Sequence, residues 1–322
     1  MKLLVTGGAG FIGARLARTL LSREALAGAR IEQLVLADQF APPADLTADR
    51  RVHALIGPLL GQCAGFAKER FDGVFHLASA VSGECELDFD LGMRSNLDST
   101  RALLDALRAA GNVPRLVFSS SVAVFGPDPG QPLPAIVADD TLPAPQTSYG
   151  AQKLMCEHLI ADMTRKGYID GRSARLMTVT VRPGKPNAAA SSFFSGVIRE
   201  PLAGVAAICP VDASVSHPVS SPARTIDALL RIYEATREEM RGRLALNLPA
   251  LNVTVQQMLD ALEAVAGPKV RALVKFQRDE RIAGIVANWP KGASAARANA
   301  LGLRADESFE HVIRQYIEDI KP

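Results

Sequence analysis

The chain has 322 residues, which is enough for one large α/β unit with a smaller lobe. Hydrophobic residues make up 48% and charged residues 22%, as is usual for a soluble globular enzyme. The formal charge of +2 comes from 36 basic and 34 acidic residues, so nothing in the electrostatics favours nucleic acid or an anionic membrane as a partner.

Short apolar runs alternate with amphipathic stretches through the first half of the chain. Strands alternating with helices indicate βαβ units and a parallel sheet, with helices on both faces because crossovers are right-handed. The pattern therefore predicts an α/β fold with a doubly wound, Rossmann-type parallel sheet. Predicted strands cover 2–5, 33–37, 73–77, 115–119 and 176–181, and predicted helices cover 11–22, 91–110 and 149–166.

The composition and periodicity of the sequence change after residue 182. The segment 183–222 is rich in Pro, Ala and Ser and has poor periodicity, which predicts a loop-dominated stretch that lines a site. We expect residues 1–182 to form the Rossmann domain and 183–322 a smaller C-terminal substrate-binding lobe, with 223–240 returning to the first domain. Later predicted elements are helices at 225–239, 255–265 and 308–317 and a strand at 246–248.

The cysteines are Cys63, Cys85, Cys156 and Cys209. They form no CxxC pair and no Cys/His cluster with zinc spacing, so we expect free thiols and no metal site. No apolar run is long enough to span a bilayer, and the first residues reach glycines too early for a signal peptide. We therefore expect a cytoplasmic protein.

A glycine-rich turn follows the first predicted strand and reads Thr6-Gly7-Gly8-Ala9-Gly10-Phe11-Ile12-Gly13. Its glycines permit a tight turn, leave room for a pyrophosphate and let helix and strand pack closely, while the helix N-terminus offers N–H groups to the phosphates. Asp38 ends the second strand, where a carboxylate accepts hydrogen bonds from both ribose hydroxyls and repels a 2′-phosphate. The pattern predicts a dinucleotide site that selects NAD over NADP.

Tyr149 and Lys153 lie four residues apart on a predicted helix and therefore project from one face. A phenol has a pKa of about 10, and a nearby ammonium group favours the phenolate, so the pair makes a usable proton acceptor. The run 119–121 places three serine hydroxyls at the end of a strand, where open α/β sheets bind ligands. Together these residues predict a hydride-transfer site.

These motifs resemble the extended short-chain dehydrogenase/reductase family over essentially the whole chain. The resemblance implies that Tyr149 is the general acid/base, that Lys153 binds the nicotinamide ribose and that Ser121 hydrogen-bonds the reacting oxygen. It also implies a homodimer formed through the helices 91–110 and 149–166. The implied NAD contacts are Gly7, Gly10, Phe11, Ile12, Gly13, Asp38, Ala78, Ser79, Ala80, Asn96, Ser119, Tyr149, Lys153 and Pro183.

One departure from the family concerns the adenine. Many relatives carry Gly-Asp after the third strand of the family's sheet, whereas this chain has Gly57-Pro58 at the corresponding place, so adenine recognition differs there. The segments 182–202, 216–224 and 282–290 resemble a branch of the family that acts on a four-carbon sugar acid. This resemblance implies oxidation of the C2 hydroxyl, with hydride passing to NAD⁺.

A small acid needs one anchoring cation and several hydroxyl partners. Arg224, Lys185 and Arg199 are the candidate carboxylate anchors, and the sequence does not choose among them. We expect core positions for His76 and Trp289 and leave open whether His217 lines the pocket. The candidate substrate contacts are Ser79, Ser121, Tyr149, Asn187, Ser192 and Arg224.

Two other functions fit the core motifs. A sugar-nucleotide epimerase or dehydratase would use tightly bound NAD that is reduced and reoxidised within one turnover. A non-catalytic dinucleotide sensor is disfavoured because Ser121, Tyr149 and Lys153 are all present.

Overall fold

A computed structural model describes residues 1–184 and 189–321. Among them are fourteen strands, of which seven form the main sheet. In chain order the strands are β1 (Lys2–Thr6), β2 (Ala25–Leu26), β3 (Ala29–Arg30), β4 (Gln33–Asp38), β5 (Val52–Ile56), β6 (Gly73–His76), β7 (Arg115–Ser121), β8 (Asp170–Leu176), β9 (Thr178–Val179), β10 (Ala207–Cys209), β11 (Ser216–Ser220), β12 (Leu246–Asn247), β13 (Leu251–Thr254) and β14 (Val274–Phe276).

The helices differ widely in length, and the longest carries the Tyr149/Lys153 pair. A π-helical stretch, Met93–Asp98, joins two of the α-helices, and a short 3₁₀ turn, Val122–Val124, follows β7. The α-helices are α1 (Phe11–Arg23), α2 (Ala44–Thr47), α3 (Leu59–Phe66), α4 (Ser82–Leu87), α5 (Phe89–Gly92), α6 (Ser99–Ala110), α7 (Ser148–Arg165), α8 (Ser192–Leu202), α9 (Pro222–Glu234), α10 (Arg237–Met240), α11 (Val255–Ala266), α12 (Pro268–Arg271), α13 (Glu280–Ala287), α14 (Ala296–Ala300) and α15 (Phe309–Asp319).

The main sheet has the order β12-β8-β7-β6-β1-β4-β5. Strands β7, β6, β1, β4 and β5 pair in parallel, and β5 forms one edge of the sheet. The side chains of Leu3, Leu4 and Val5 are fully buried, as expected for a parallel strand that is covered on both faces. The strand order reverses between β1 and β6, where doubly wound sheets bind their ligands, and the predicted Rossmann-type fold is confirmed.

Several predicted elements need correction. The strand expected at 176–181 lies earlier, at β8, with only the short β9 after it. The helix expected at 91–110 is real but contains the π-helical stretch. The segment 183–222 is not loop-dominated throughout, because it contains α8, β10 and β11. Among the elements that had not been predicted are β5 and α3.

The chain divides into two compact units, each built from several stretches of sequence. The first unit comprises 1–121, 147–175 and 226–246, and one of its hydrophobic clusters packs Phe66, Phe71 and Phe118 with leucines of α6. The second comprises 122–146, 176–225 and 247–322, and its core gathers side chains of α8, α11 and α15 around Phe194 and Ile313.

All four cysteines are buried and unpaired, as predicted. Burial raises the pKa of the Cys63 thiol to about 11, which keeps it protonated at neutral pH. In the part of the chain that the structure describes, no helix is long and apolar enough to cross a membrane.

Two buried histidines should make the fold sensitive to acid. Burial lowers the pKa of His76 to about 3 and that of His217 to about 4, whereas an exposed histidine titrates near 6.5. Between pH 6.5 and 4 the unfolded chain therefore binds more protons than the folded chain. We expect the free energy of unfolding to be constant above pH 6.5 with respect to these groups. Below that pH it should fall by about 1.4 kcal/mol per pH unit for each histidine.

Urea denaturation of the whole chain between pH 7.5 and 5 measures this slope. A His217→Gln variant should show a shallower acid dependence, because one titrating group is gone. His158 is exposed on α7, and a His158→Gln variant is the matched control that should keep the wild-type slope. Equal slopes for the two variants would contradict the assignment to His217.

Candidate active site

The glycine turn lies at the carboxyl end of β1, with α1 starting directly after it. Gly7 has a φ of +73°, and a Cβ there would lie 2.8 Å from the main-chain nitrogen of Ala78. A Cβ on Gly13 would lie 2.0 Å from the carbonyl oxygen of Gly7. Gly10 caps α1 without a side chain, so the first N–H groups of the helix remain available to an anion. These close approaches form the cradle that a pyrophosphate requires, and the residues fit a dinucleotide.

Asp38 ends β4 beside this turn. One carboxylate oxygen accepts a hydrogen bond from the main chain of Ala9 at 2.9 Å, and the other accepts one from the main chain of Phe40 at 3.1 Å. The side chain is thus held against the glycine turn, at the carboxyl edge of the sheet. A carboxylate placed there can also accept ribose hydroxyls, since each oxygen has more than one lone pair.

The loop after β6 is held by Asn96. The side-chain oxygen of Asn96 accepts hydrogen bonds from the main chain of Ala80 at 2.8 Å and from the Ser79 hydroxyl at 3.0 Å. Its amide nitrogen donates to the Gln152 side chain on α7 at 2.8 Å. Asn96 lies within the π-helical stretch and is 3% exposed, so this buried amide fixes Ser79 and Ala80 relative to α7.

His76 is a buried structural residue within a chain of hydrogen bonds. Thr100 donates to the carbonyl of Asn96 at 2.5 Å and therefore accepts from Nε2 of His76 at 2.8 Å. Nδ1 of His76 then accepts from the hydroxyl of Thr6 at 2.7 Å, and the oxygen of Thr6 accepts from the main chain of Ala78 at 3.3 Å. The chain ties the ends of β1 and β6 to the Asn96 segment, which agrees with a core position for His76.

Lys153 is buried on α7 and donates a hydrogen bond to the main-chain carbonyl of Ser119 at 2.8 Å. Its ammonium group lies 4.8 Å from the centroid of the Phe118 ring and 5.5 Å from that of Tyr149. Burial lowers the pKa of Lys153 to about 8, although Cys156, Cys85 and the carboxylate of Glu157 act in the opposite direction. The pair predicted from its spacing thus lies close together, with the ammonium group over the Tyr149 ring.

Three consecutive serines end β7 and differ in their surroundings. Ser119 is buried, and its hydroxyl donates to the main-chain carbonyl of His76 at 3.2 Å. The hydroxyl of Ser120 donates to the carboxylate of Glu157. Ser121 is half-buried at the end of the strand, on the same sheet edge as Gly7 and Asp38. The first unit therefore brings together the predicted phosphate, ribose and proton-transfer groups.

The remaining predicted contacts belong to the second unit. Pro183 is exposed, Ser192 is half-buried at the start of α8, and Arg224 lies in α9. Asn187 and Lys185 lie outside the described residues. Each unit therefore carries its own part of the predicted contact set.

His217 and Arg199 occupy packed positions in the second unit. His217 is 2% exposed, stacks on Phe194 with ring centroids 5.0 Å apart and bonds to Thr178 at 2.7 Å. Arg199 is buried and forms an ion pair with Glu200 at 2.6 Å. Both side chains are therefore engaged within the unit's own packing.

Four residues around the site had not been singled out from the sequence. Thr6 and Thr100 orient His76, Gln152 bonds to Asn96, and Glu157 bonds to Ser120. Only Glu157 had a signal in the sequence, since it follows Lys153 by one helical turn on the face that carries Tyr149.

A doubly wound sheet with a phosphate-binding turn at its switch point and a Tyr/Lys helix defines a class of dinucleotide-dependent oxidoreductases. The chain belongs to the NAD dependent epimerase/dehydratase family, whose model matches residues 3–235. It is therefore an NAD-dependent dehydrogenase-type enzyme of this family.

Relatives match over the full length. The chain is 48% identical to D-erythronate dehydrogenase from Cupriavidus necator, across 99% of this chain and 98% of that protein. It is 41% identical to the D-erythronate dehydrogenase of Haemophilus influenzae, across 99% of each. A crystal structure described as a nucleoside-diphosphate-sugar epimerase from Agrobacterium tumefaciens superposes with a TM-score of 0.93 and 42% identity, across 99% of this chain and 94% of that one. The names of these relatives indicate two different reactions.

Proposed function

We propose that this enzyme oxidises the C2 hydroxyl of D-erythronate to 2-oxo-tetronate, with Tyr149 as the general base. The observation that carries the proposal is full-length similarity to two D-erythronate dehydrogenases, together with the buried Lys153 beside Tyr149. UDP-glucose 4-epimerase from Corynebacterium glutamicum, in contrast, matches only 56% of the chain and 51% of its own length.

NAD⁺, when bound, accepts the hydride that leaves C2. Tyr149 takes the proton of the C2 hydroxyl, so that the C–H and O–H bonds break while a C=O bond forms. The Lys153 ammonium group favours the phenolate, and its hydrogen bond to Ser119 holds it in place. Ser121 donates a hydrogen bond to the reacting oxygen.

For the cofactor, the proposed contacts in the first unit are the glycine turn, Asp38, the loop 78–80, Asn96 and Lys153. The Gly7 and Gly13 cradle supports a pyrophosphate at the N-terminus of α1. The fixed carboxylate of Asp38 supports a ribose with a free 2′-hydroxyl, because a 2′-phosphate would meet a like charge.

An Asp38→Asn variant should lose its preference for NAD⁺ over NADP⁺. Asparagine can still accept the hydrogen bond of Ala9, so the turn keeps its shape while the charge disappears. Hydrogen bonds to charged groups contribute about 1.5–3 kcal/mol, so we expect Kd for NADH to rise roughly 10- to 100-fold. Binding of NADPH should improve, since the repulsion is gone. Both affinities are measured by fluorescence titration, and an unchanged NADH/NADPH ratio would contradict the role of Asp38.

For the substrate, we propose Arg224 as the carboxylate anchor. Within the described residues Arg224 forms no ion pair, while its main-chain N–H donates to the hydroxyl of Ser221 at 3.1 Å. Arg199, the rival candidate, is already paired with Glu200. A guanidinium group suits a carboxylate because it can donate two parallel hydrogen bonds. Ser79, Ser121, Tyr149, Asn187 and Ser192 complete the proposed set of substrate contacts.

The second candidate function is a sugar-nucleotide epimerase, which the description of the Agrobacterium tumefaciens structure favours. The two reactions differ in their balance of NADH. A dehydrogenase accumulates NADH, seen as absorbance at long ultraviolet wavelength, when given D-erythronate and NAD⁺. An epimerase converts a sugar nucleotide with no net NADH.

The deciding experiment is an NADH absorbance assay over C3–C6 sugar acids, run beside a chromatographic assay with UDP-glucose. We expect the largest kcat/KM with D-erythronate and no conversion of the sugar nucleotide. Conversion of UDP-glucose without any NADH signal from the sugar acids would overturn the proposal in favour of the epimerase.

We also propose a homodimer formed through α6 and α7. Met155 on α7 is 42% exposed, and Leu87 and Phe89, just before the π-helical stretch, are 86% and 60% exposed. Helices α4 and α5 pack against α7, and exposed apolar side chains on neighbouring helices are typical of interfaces between subunits. Light scattering coupled to gel filtration should give twice the chain mass of 34.3 kDa, and a monomer mass at micromolar concentration would contradict the proposal.

A further inference from the structure

The first unit contains a buried ion pair that the proposed reaction does not use. Arg175 on β8 donates two hydrogen bonds to the carboxylate of Glu157 on α7, at 2.9 and 2.8 Å. The hydroxyl of Ser120 donates to the same carboxylate, and all three residues are less than 10% exposed. A buried ion pair is costly to desolvate, so its position on the helix that carries Tyr149 and Lys153 calls for a functional explanation.

The Arg175–Glu157 ion pair lies close to the proposed reacting groups. Tyr149, Lys153 and Glu157 follow one another at intervals of four residues on α7 and share one face. Lys153 bonds to the carbonyl of Ser119, and Glu157 bonds to the hydroxyl of the next residue, Ser120. Helix α7 is therefore fixed to β7 at two successive residues, immediately before Ser121.

We propose that Glu157, held by Arg175 and Ser120, is a positioning residue that keeps the Lys153 proton in place and aligns Tyr149 with Ser121. The inference rests on the roles proposed above for Tyr149 and Lys153. Glu157 acts at a distance through its charge and through the register of α7, and it is not a catalytic residue.

The electrostatic part follows from the surroundings of Lys153. Burial favours the neutral amine, and the carboxylate of Glu157 favours the ammonium. The active form of the pair is a phenolate beside an ammonium, and the alternative with the same proton count is a phenol beside a neutral amine. The titratable groups that act on or lie against Lys153 are Tyr149, Cys156 and Glu157 on α7, Cys85 on α4 and His76 on β6.

Removal of the Glu157 charge should therefore have two effects. Without the carboxylate, loss of a proton from the Tyr149/Lys153 pair becomes easier, so the acidic limb of the pH profile moves to lower pH. The remaining proton also resides less often on Lys153, so the plateau of kcat falls. A purely structural role would lower kcat without moving the limb.

The test compares wild-type enzyme with a Glu157→Gln/Arg175→Met double variant, which leaves no unpaired charge buried and keeps an acceptor for Ser120. We expect the acidic limb of kcat to move down by up to about one pH unit, since Glu157 is one of several groups that oppose the effect of burial on Lys153. The plateau should fall by up to about tenfold, since one pKa unit is a tenfold change in proton distribution. The Kd for NADH should stay unchanged, because no proposed cofactor contact is altered.

The matched control is Asp162→Asn/Arg165→Met, which removes an exposed ion pair from the same helix. Its profile should coincide with wild type. A Glu157→Gln single variant provides a second route, because it removes the same charge and keeps an acceptor for Ser120. Its limb should move in the same direction.

A limb that stays at the wild-type pH in either folded variant overturns the inference. Failure of the proposed function has a different signature, since a Tyr149→Phe enzyme with wild-type activity would remove the general base itself. An inactive Tyr149→Phe enzyme together with an unmoved limb would leave the proposed function intact and reject only the role of Glu157.

Discussion

Replacement of Tyr149 by phenylalanine should reduce kcat for D-erythronate oxidation by about 10²–10⁴-fold, the usual contribution of a positioned general base. The substitution removes only the phenolic oxygen and keeps the ring that lies 5.5 Å from the Lys153 ammonium group. Without that oxygen the C2 hydroxyl has no base to receive its proton. The Kd for NADH should change little, because the glycine turn and Asp38 are untouched.

Steady-state kinetics with NADH detection measure the loss, and fluorescence titration measures NADH binding. Tyr168 offers a matched control in the same unit, where its ring packs against the Arg108 guanidinium at 4.7 Å. A Tyr168→Phe variant makes the same chemical change away from the sheet edge and should keep wild-type kcat. Full activity in Tyr149→Phe would require another proton acceptor and would remove the central step of the proposed function.

The buried parallel strands were predictable because their apolar sequences match their buried surroundings. A strand covered on both faces needs a continuous apolar run, and Lys2–Thr6 and Gln33–Asp38 supply one each. Strand β5, in contrast, is an edge strand whose residues are mostly exposed, so its pattern shows no burial signal. The sequence alone could not separate it from a loop.

The prediction of a strand at 176–181 instead of β8 was wrong for a different reason. The actual strand β8 contains Arg172 and Arg175. Charged residues in a sequence indicate a surface position, although both arginines are buried. Arg172 donates to the main-chain carbonyls of Ile232 and Tyr233, and Arg175 pairs with Glu157. These partners lie far away in sequence, so the compensation that makes a buried arginine tolerable is visible only after folding.

The same division applies to the candidate site. Glycine spacing, Asp38 at a strand end and the four-residue interval between Tyr149 and Lys153 are local patterns, and the fold gathers these residues at one edge of the sheet. Whether each acts as proposed stays a prediction. The hydrogen-bond chain through His76 and the Glu157 ion pair depend on contacts between distant segments, and no local pattern predicts them.

The second large effect is expected at Gly13. A methyl group there would lie 2.0 Å from the carbonyl oxygen of Gly7 and 2.9 Å from the Cα of Gly8, and both atoms belong to the main chain of the glycine turn. Main-chain atoms cannot rotate out of the way, so a Gly13→Ala chain must move the turn or the start of α1. Overpacking costs about 1–3 kcal/mol, and contacts this short fall at the upper end of that range.

The displacement falls on the N–H groups proposed to hold the pyrophosphate, so the loss should appear in binding as well as in stability. We expect Kd for NADH to rise roughly 100-fold, which corresponds to about 3 kcal/mol, as measured by fluorescence titration. Gly65 on α3 is the matched control, because a Cβ there meets nothing within 4 Å. Gly65→Ala should keep wild-type affinity and gain about 0.5–1 kcal/mol of stability in urea denaturation, since alanine favours a helix more than glycine does. NADH affinity that is equal in both variants would show that the dinucleotide does not bind at the glycine turn.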